Sequence, residues 1–226
     1  AVFDWPSMVA ALSRARRSTG DALPQLPWRD VRNPYRPLDL LSADQLEAIH
    51  RTSLRILGEL GIELMSPRAR ALLRAYGAEI DEASGNVRLD AALVERALAT
   101  TPETFTLTPR NPARSVTLGG NHLVFGLVAG PPNVHDFVRG RRAGNHADYC
   151  DFIRLTQYFN AVHVIGNQVC APIELPAGTR HLDCYLANLL LSDRAYHCTA
   201  IGAGRARDGV AMMAIARGIP IEAMAA

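Results

Sequence analysis

The side chains of this chain best suited to chemistry stand just after apolar runs. Asn133, His135 and Asp136 follow Leu123–Val128 across the turn Gly130-Pro131-Pro132. Asn167 and Glu174 follow the run Val162–Ile165, and Arg180, His181 and Asp183 open the leucine-rich stretch beyond. Polar groups that emerge where a buried strand ends line sites in α/β proteins. Here the amides and the imidazole can orient the polar end of a small molecule. Glu174 can face a cation, and Arg180 can hold an anion or a neighbouring loop. Plainer readings stand beside these. Asn133, His135 and Asp136 also suit a turn held by Asx-type hydrogen bonds. Glu174 also suits a surface loop, and Arg180 a structural salt bridge.

Two further sets invite chemistry. His163, Cys170, His181, Cys184, His197 and Cys198 are residue types that ligate zinc. No close pair has finger-like spacing, and His163 and His197 sit inside apolar runs, so the expectation is that no metal binds. Gly202-Ala-Gly-Arg-Ala-Arg207 suits a phosphate at a helix N-terminus, but it lacks the full dinucleotide fingerprint.

The elements that would position these groups come in two grammars. Residues 41–120 read as a small α+β module. Ser42-Ala-Asp-Gln45 is a capping box for a helix running to Gly61, and Ser66-Pro67 starts a second helix. Ser84-Gly85-Asn86 turns a hairpin, and Asp90 caps a third helix. Phe105–Leu107 and Ser115–Leu118 alternate as short strands. Their apolar residues read as core. From 121 to 226 the pattern is strand, loop, helix, three times over: strands at 123–128, 162–165 and 196–201, and helices near 146–159, 178–192 and 205–217. Asn145 is the expected cap of the first of these helices, with Asp148 in its first turn. Residues 1–40 read as an extended, proline-broken arm carrying Arg14, Arg16 and Arg17, with Trp28 and Tyr35 as anchors.

Bulk properties narrow the partners. A net charge of +2 gives no footprint for nucleic acid. No apolar run approaches the roughly 20 residues of a membrane span, and the first residues lack the pattern of a secretory signal. Four cysteines without C-x-x-C spacing suit reduced thiols in the cytoplasm.

Several stretches together resemble one family. They are Val31-Arg-Asn-Pro34, Leu41-Ser-Ala-Asp-Gln-Leu-Glu-Ala-Ile-His50, Phe105-Thr-Leu-Thr-Pro-Arg-Asn-Pro112, Gly130-Pro-Pro-Asn-Val-His-Asp136, Gly140-Arg-Arg142 and Thr179-Arg-His-Leu-Asp183. In this order they resemble the trimethylamine:corrinoid methyltransferases, most closely the branch without pyrrolysine that includes glycine betaine methyltransferases. The resemblance implies an α/β fold: the first part of a TIM (β/α)8 barrel, about three βα units, preceded by the α+β module. It also implies an enzyme that takes a methyl group from a methylated or quaternary amine and passes it to a corrinoid protein. The corrinoid would come with that partner, and no cofactor would bind this chain directly. The expected protein is a cytoplasmic homo-oligomer with Asn133, His135, Asp136, Asn167, Glu174, Arg180 and His181 near the amine. The rivals are a non-catalytic fragment that only folds or associates, and a zinc-dependent methyltransferase.

Overall fold

The computed structural model describes residues 23–36, 38–166, 168–198 and 201–224. Arg14, Arg16, Arg17 and Asn167 lie outside the described residues. The chain divides into two compact units: Ala1–Val31, Thr106–Thr117 and Leu123–Ala226 form one, and Arg32–Phe105 with Leu118–His122 form the other.

The second unit follows its local signals closely. Ser42 accepts from the N–H of Gln45 at 3.2 Å, and the Gln45 side chain accepts from the N–H of Ser42 at 2.9 Å. That reciprocal cap starts α1 (Ala43–Arg55), which widens into a π turn at Ile56–Leu60 before Gly61 ends it. β1 (Ile62–Glu63), α2 (Pro67–Ala75), β2 (Glu79–Asp81), β3 (Asn86–Arg88) and α3 (Ala91–Leu98) follow. Ser66 and Asp90 cap α2 and α3. The strands form an antiparallel sheet in the order β1-β3-β2. Its core is Ala78, Val87 and Leu93, with Leu64, Leu73, Ile80 and Leu89 packed around them. The apolar face of α1 does not join this core as its pattern predicts: Leu46 and Ile49 are both 55% exposed. Three strands of two or three residues offer little surface, and Leu73 and Leu93 already cover it. Tyr35, expected as an anchor, is also exposed. Beyond α3, β4 (Thr104–Leu107) pairs with β5 (Val116–Gly119).

The first unit contains β6 (Asn133–Asp136), β7 (Gly140–Ala143), α4 (His146–Tyr158), β8 (Val164–Ile165), α5 (Arg180–Leu191), β9 (Ala195–Tyr196) and α6 (Ala203–Arg217). Three stretches lie side by side and parallel, in chain order. Gly126 bridges Val164, and β8 pairs with β9. The N–H of His163 donates to the Phe125 carbonyl at 2.8 Å, and that of His197 to the Ile165 carbonyl at 3.0 Å. Gly166 permits the close approach of the first two stretches, because a Cβ there would lie 2.3 Å from the Leu127 carbonyl oxygen. Helices fill the crossovers, as parallel pairing requires, and α5 packs against both α4 and α6. The core contains Val134, Tyr149, Ile153, Ile165, Val169, Cys170, Cys184 and Ala187.

This architecture is mixed α/β, and the described residues form no closed barrel. The predicted strands are longer than the observed ones. Of Leu123–Val128, Gly126 alone joins the parallel ladder, and Phe125 and Val128 are 53% and 78% exposed. Past Gly126 the two stretches stay close without a regular ladder: Ala129 lies beside Gly166, and the N–H of Gly130 donates to the Gln168 carbonyl. The run 129–145, predicted as a plain loop, instead folds as the hairpin β6–β7. Asp136 stabilises its turn by accepting from the N–H groups of Val138 and Arg139, at 3.1 and 2.7 Å. Gly140, at φ +69°, supplies the left-handed residue that a three-residue loop needs.

Candidate functional site

The hairpin presents two different faces. Val134 is buried, and on the same face Asp136 meets Arg142, which stands across from Val134. Arg142 grips Asp148 with both terminal nitrogens and lies 3.4 Å from Asp136. The Arg139 Nε donates to Asp136 at 2.7 Å. Hydrogen bonds from Arg142 hold the Asp148 carboxyl below the usual carboxylate range. The backbone N–H of Arg139, with its guanidinium, does the same for Asp136. Asp148 also accepts from the N–H of Asn145 at 3.2 Å, while the Asn145 side chain accepts from the N–H of Asp148 at 2.9 Å. One carboxylate thus fixes both the hairpin and the start of α4, combining a charge-assisted pair with a helix cap.

The opposite face of the hairpin carries Asn133 and His135. His135 is exposed and stands directly across from Arg141, and Asn133 is half-buried. No side-chain hydrogen bond joins either group to another of the described residues.

Loops at the C-terminal ends of the parallel stretches are joined through backbone. The N–H of Gly130 donates to the Gln168 carbonyl at 2.7 Å, that of Ala171 to Pro131 at 2.9 Å, and that of Gly144 to Pro132 at 3.1 Å. Glu174 accepts from the N–H of His146 at 2.5 Å. A carboxylate at the first turn of α4 is favoured by the free N–H groups and the helix dipole.

Arg180 and His181 open α5. His181 is buried, and its Nε2 lies 2.7 Å from the Asp208 carboxylate on α6. The carboxylate accepts, so Nε2 carries the hydrogen. The Nδ1 of His181 and the Nε of Arg180 are buried without hydrogen-bond partners among the described residues. Arg205, from the glycine-rich run that begins α6, donates to the Ala177 carbonyl at 2.8 Å and so ties α6 to the loop before α5.

The structure therefore gathers Asp136 and Glu174 around the start of α4, sets Asn133 and His135 on the free face of the hairpin, and places Arg180 and His181 at the start of α5. Sequence reasoning passed over Arg142 and Asp208 as site-building residues and read Asp148 only as a first-turn acid. The run Gly140-Arg-Arg142 and the Asn145/Asp148 spacing carried the signal for the first pair. Asp208 has no local signal, because its partner lies 27 residues away.

The cysteine and histidine set does not converge. Burial pushes the Cys170 thiol up to about 11 and the Cys184 thiol up to about 12. Both are therefore protonated thiols at neutral pH. Among the described residues no three His, Cys, Asp or Glu side chains stand close enough to hold a metal ion. Likewise, no helix of the described residues is long and apolar enough to cross a membrane.

Comparison with known proteins agrees with the family that the sequence resembles. The family model for trimethylamine methyltransferase (MTTB) matches residues 10–226. A glycine betaine methyltransferase of Desulfitobacterium hafniense (strain Y51) is 32% identical over 177 residues, covering 78% of this chain and 36% of that protein. The trimethylamine methyltransferase MttB of Methanosarcina barkeri (strain Fusaro / DSM 804) is 35% identical over 74 residues, 33% of this chain and 15% of the relative. A second D. hafniense protein (strain DSM 10664 / DCB-2), also a trimethylamine methyltransferase MttB, is 33% identical over 84 residues, 37% of this chain and 17% of that one. The chain thus spans about a third of the glycine betaine methyltransferase it matches. A family match over nearly the whole sequence leads to one conclusion: this chain belongs to the trimethylamine methyltransferase family.

Proposed function

We propose that this chain is the N-terminal part of a methyltransferase that moves a methyl group from an amine of the trimethylamine or glycine betaine type to a corrinoid protein. Its three parallel stretches would be the first three units of a TIM barrel, preceded by residues 1–40 as an arm and 41–120 as an α+β module. The observation that carries the reading is the parallel order Gly126, Val164, Ala195 with helical crossovers and loops stitched together at one end. Sites of such folds sit at that end.

The corrinoid, carried by the partner protein, supplies a cobalt centre that accepts the methyl group. The residues of this chain bind and aim the amine. The open face of the hairpin, with His135 and Arg141 exposed, leaves room for a protein-borne group to approach. Asn133, His135 and Asn167 orient the substrate's polar tail, and Arg141 beside His135 adds positive charge suited to a carboxylate such as that of glycine betaine. Asp136, Glu174, Arg180 and His181 support that site from behind: Asp136 through Arg142 and Arg139, Glu174 at the start of α4, and Arg180 and His181 at the start of α5. Because methyl transfer demands alignment, the protein's main task is positioning, and the Arg142–Asp148 pair fixes the hairpin that carries His135.

The test is methyl transfer from trimethylamine and from glycine betaine to a reduced corrinoid protein by the full-length enzyme, followed in the visible spectrum of the corrinoid. His135→Ala should lower transfer at least tenfold and leave the melting temperature nearly unchanged. A loss of several degrees with transfer intact would make His135 a structural residue and overturn its assignment. No transfer from either amine by the unsubstituted protein would overturn the function.

A further inference from the structure

At the other end of the parallel stretches, His163 is almost completely buried, at 2% exposure. Both of its ring nitrogens are committed. The N–H of Phe125 donates to Nδ1 at 3.0 Å, and Nε2 lies 3.1 Å from the Arg29 carbonyl oxygen. Nδ1 accepts, so it carries no hydrogen. Nε2 then carries the hydrogen it donates to Arg29. One neutral ring therefore joins three stretches distant in sequence: the strap Leu23–Val31, the first parallel stretch at Phe125, and the residue before β8. Aromatic packing reinforces the join. Phe125 stacks on the imidazole and Trp28 meets it edge-on, each at 5.8 Å between centroids.

The strap forms one wall of an open groove of about 610 Å³, lined by Leu23, Pro24, Leu26, Val31, Phe125 and Phe159. The polar groups beside it are already engaged. The Gln25 side chain accepts from the N–H of Asn160 and donates to the Tyr158 carbonyl, and the Asn160 side chain donates to the Leu26 carbonyl. The groove is left mainly apolar and open to solvent: Leu23, Leu26 and Phe125 in its wall are 60%, 73% and 53% exposed.

We infer that His163 is a proton-operated latch: charging its imidazole releases the strap Leu23–Val31 from the apolar groove it lines. A hydrogen added to Nδ1 would face the N–H of Phe125, turning an acceptor into a donor set against a donor. It would also place a positive charge in a buried site. The surrounding charges do not relieve it. Arg29 and Asp30 belong to the strap itself. Arg114 and Arg194 lie over the Trp28 ring at 5.2 and 5.6 Å, adding positive charge on that side. The nearby carboxylate Asp193 is engaged by Asn111 and Arg114. Among the described residues His163 makes no ion pair. The sign follows. The bound strap requires the neutral ring, so the latch holds while the ring is uncharged and slackens when acid charges it.

The experiment uses the whole chain in a Trp5→Phe background, so that Trp28 is its single tryptophan. Hydrogen exchange over residues 23–31, Trp28 emission and binding of an apolar dye are followed from about pH 8 to about pH 5. After correction for intrinsic exchange, the strap should exchange at least tenfold faster at the acid end. Trp28 emission should shift to the red and dye binding should rise, while the amides of α4 stay protected. His163→Gln, which can donate to Arg29 but gains no charge, should abolish the pH step. Exchange of the strap independent of pH, or a step that survives in His163→Gln, overturns the proposal. Should that variant not fold, the ring resonance of His163 in the unsubstituted chain decides. Its titration must coincide with strap opening, and titration without opening overturns the latch.

Discussion

Arg142 on β7 holds Asp148 on α4 with both terminal nitrogens, and Asp148 is the same residue that completes the N-terminal cap of that helix. The position of the hairpin and the start of the helix are therefore one structural decision. Anything placed on the open face of the hairpin inherits the rigidity of α4.

Removing the arginine should show this. Arg142→Ala leaves Asp148 and Asp136 without their shared partner, and the melting temperature should fall by several degrees. Arg142→Lys should recover only part of the loss, because a single ammonium does not reproduce the two-point grip. Both carboxyls are held below their ordinary range. Their contribution is present above that range and is lost as pH falls through the lowered values. Melting curves taken from neutral pH down to about pH 3, below the ordinary carboxylate range, should thus converge for the variant and the parent. Parallel curves at all pH values would refute the linkage.

A second prediction concerns the core. Tyr149 is fully buried, and its hydroxyl donates to Asn188 Oδ1 at 3.0 Å, joining α4 to α5. Tyr149→Phe should cost about 1–3 kcal/mol, because it strands a buried acceptor. Urea unfolding measures it, and a change under about 0.3 kcal/mol would mean that Asn188 has found another donor.

Third, Gly166→Ala should destabilise the sheet. The new methyl would fall on the Leu127 carbonyl, and forcing the stretches apart costs about 1–3 kcal/mol. Gly178→Ala is the control, since nothing lies within 4 Å of a Cβ there. Equal melting temperatures for the two variants would show that the first two stretches are not so closely apposed.

Fourth, thiol reagents should distinguish the cysteines. Cys170 and Cys184 are buried, with thiols pushed up to about 11 and about 12, so neither presents a thiolate at pH 8. Both should remain unmodified until denaturant is added. Rapid labelling of either in the folded chain would contradict their burial.

The helices were legible because their starts are written locally. Ser42 with Gln45, Ser66 before Pro67, Asp90, and Asn145 with Asp148 each predict a cap that the structure contains. The strands were legible in order but not in extent. Apolar runs such as Leu123–Val128 signal burial, whereas strand length depends on which neighbours lie alongside, and of that run it is Gly126 that joins the parallel ladder. The hairpin was missed although Asp136 and Gly140 bracket its turn, because the two prolines before it suggested irregular chain. The candidate site was legible as a set of loops. The partners that hold it, Asp208 for His181 and the N–H of His146 for Glu174, are long-range choices that no short window contains.

The loops at the proposed amine end are held to one another by main-chain atoms: Gly130 to Gln168, Ala171 to Pro131, Gly144 to Pro132. A peptide group is the same whatever side chain it bears. Substitutions at the outward-facing positions, Asn133 and His135 among them, can therefore alter what is recognised without unfastening the rim that displays them. Relatives of this chain are named for trimethylamine and for glycine betaine. A rim sewn through the backbone gives such a lineage freedom to change its diet while keeping its frame.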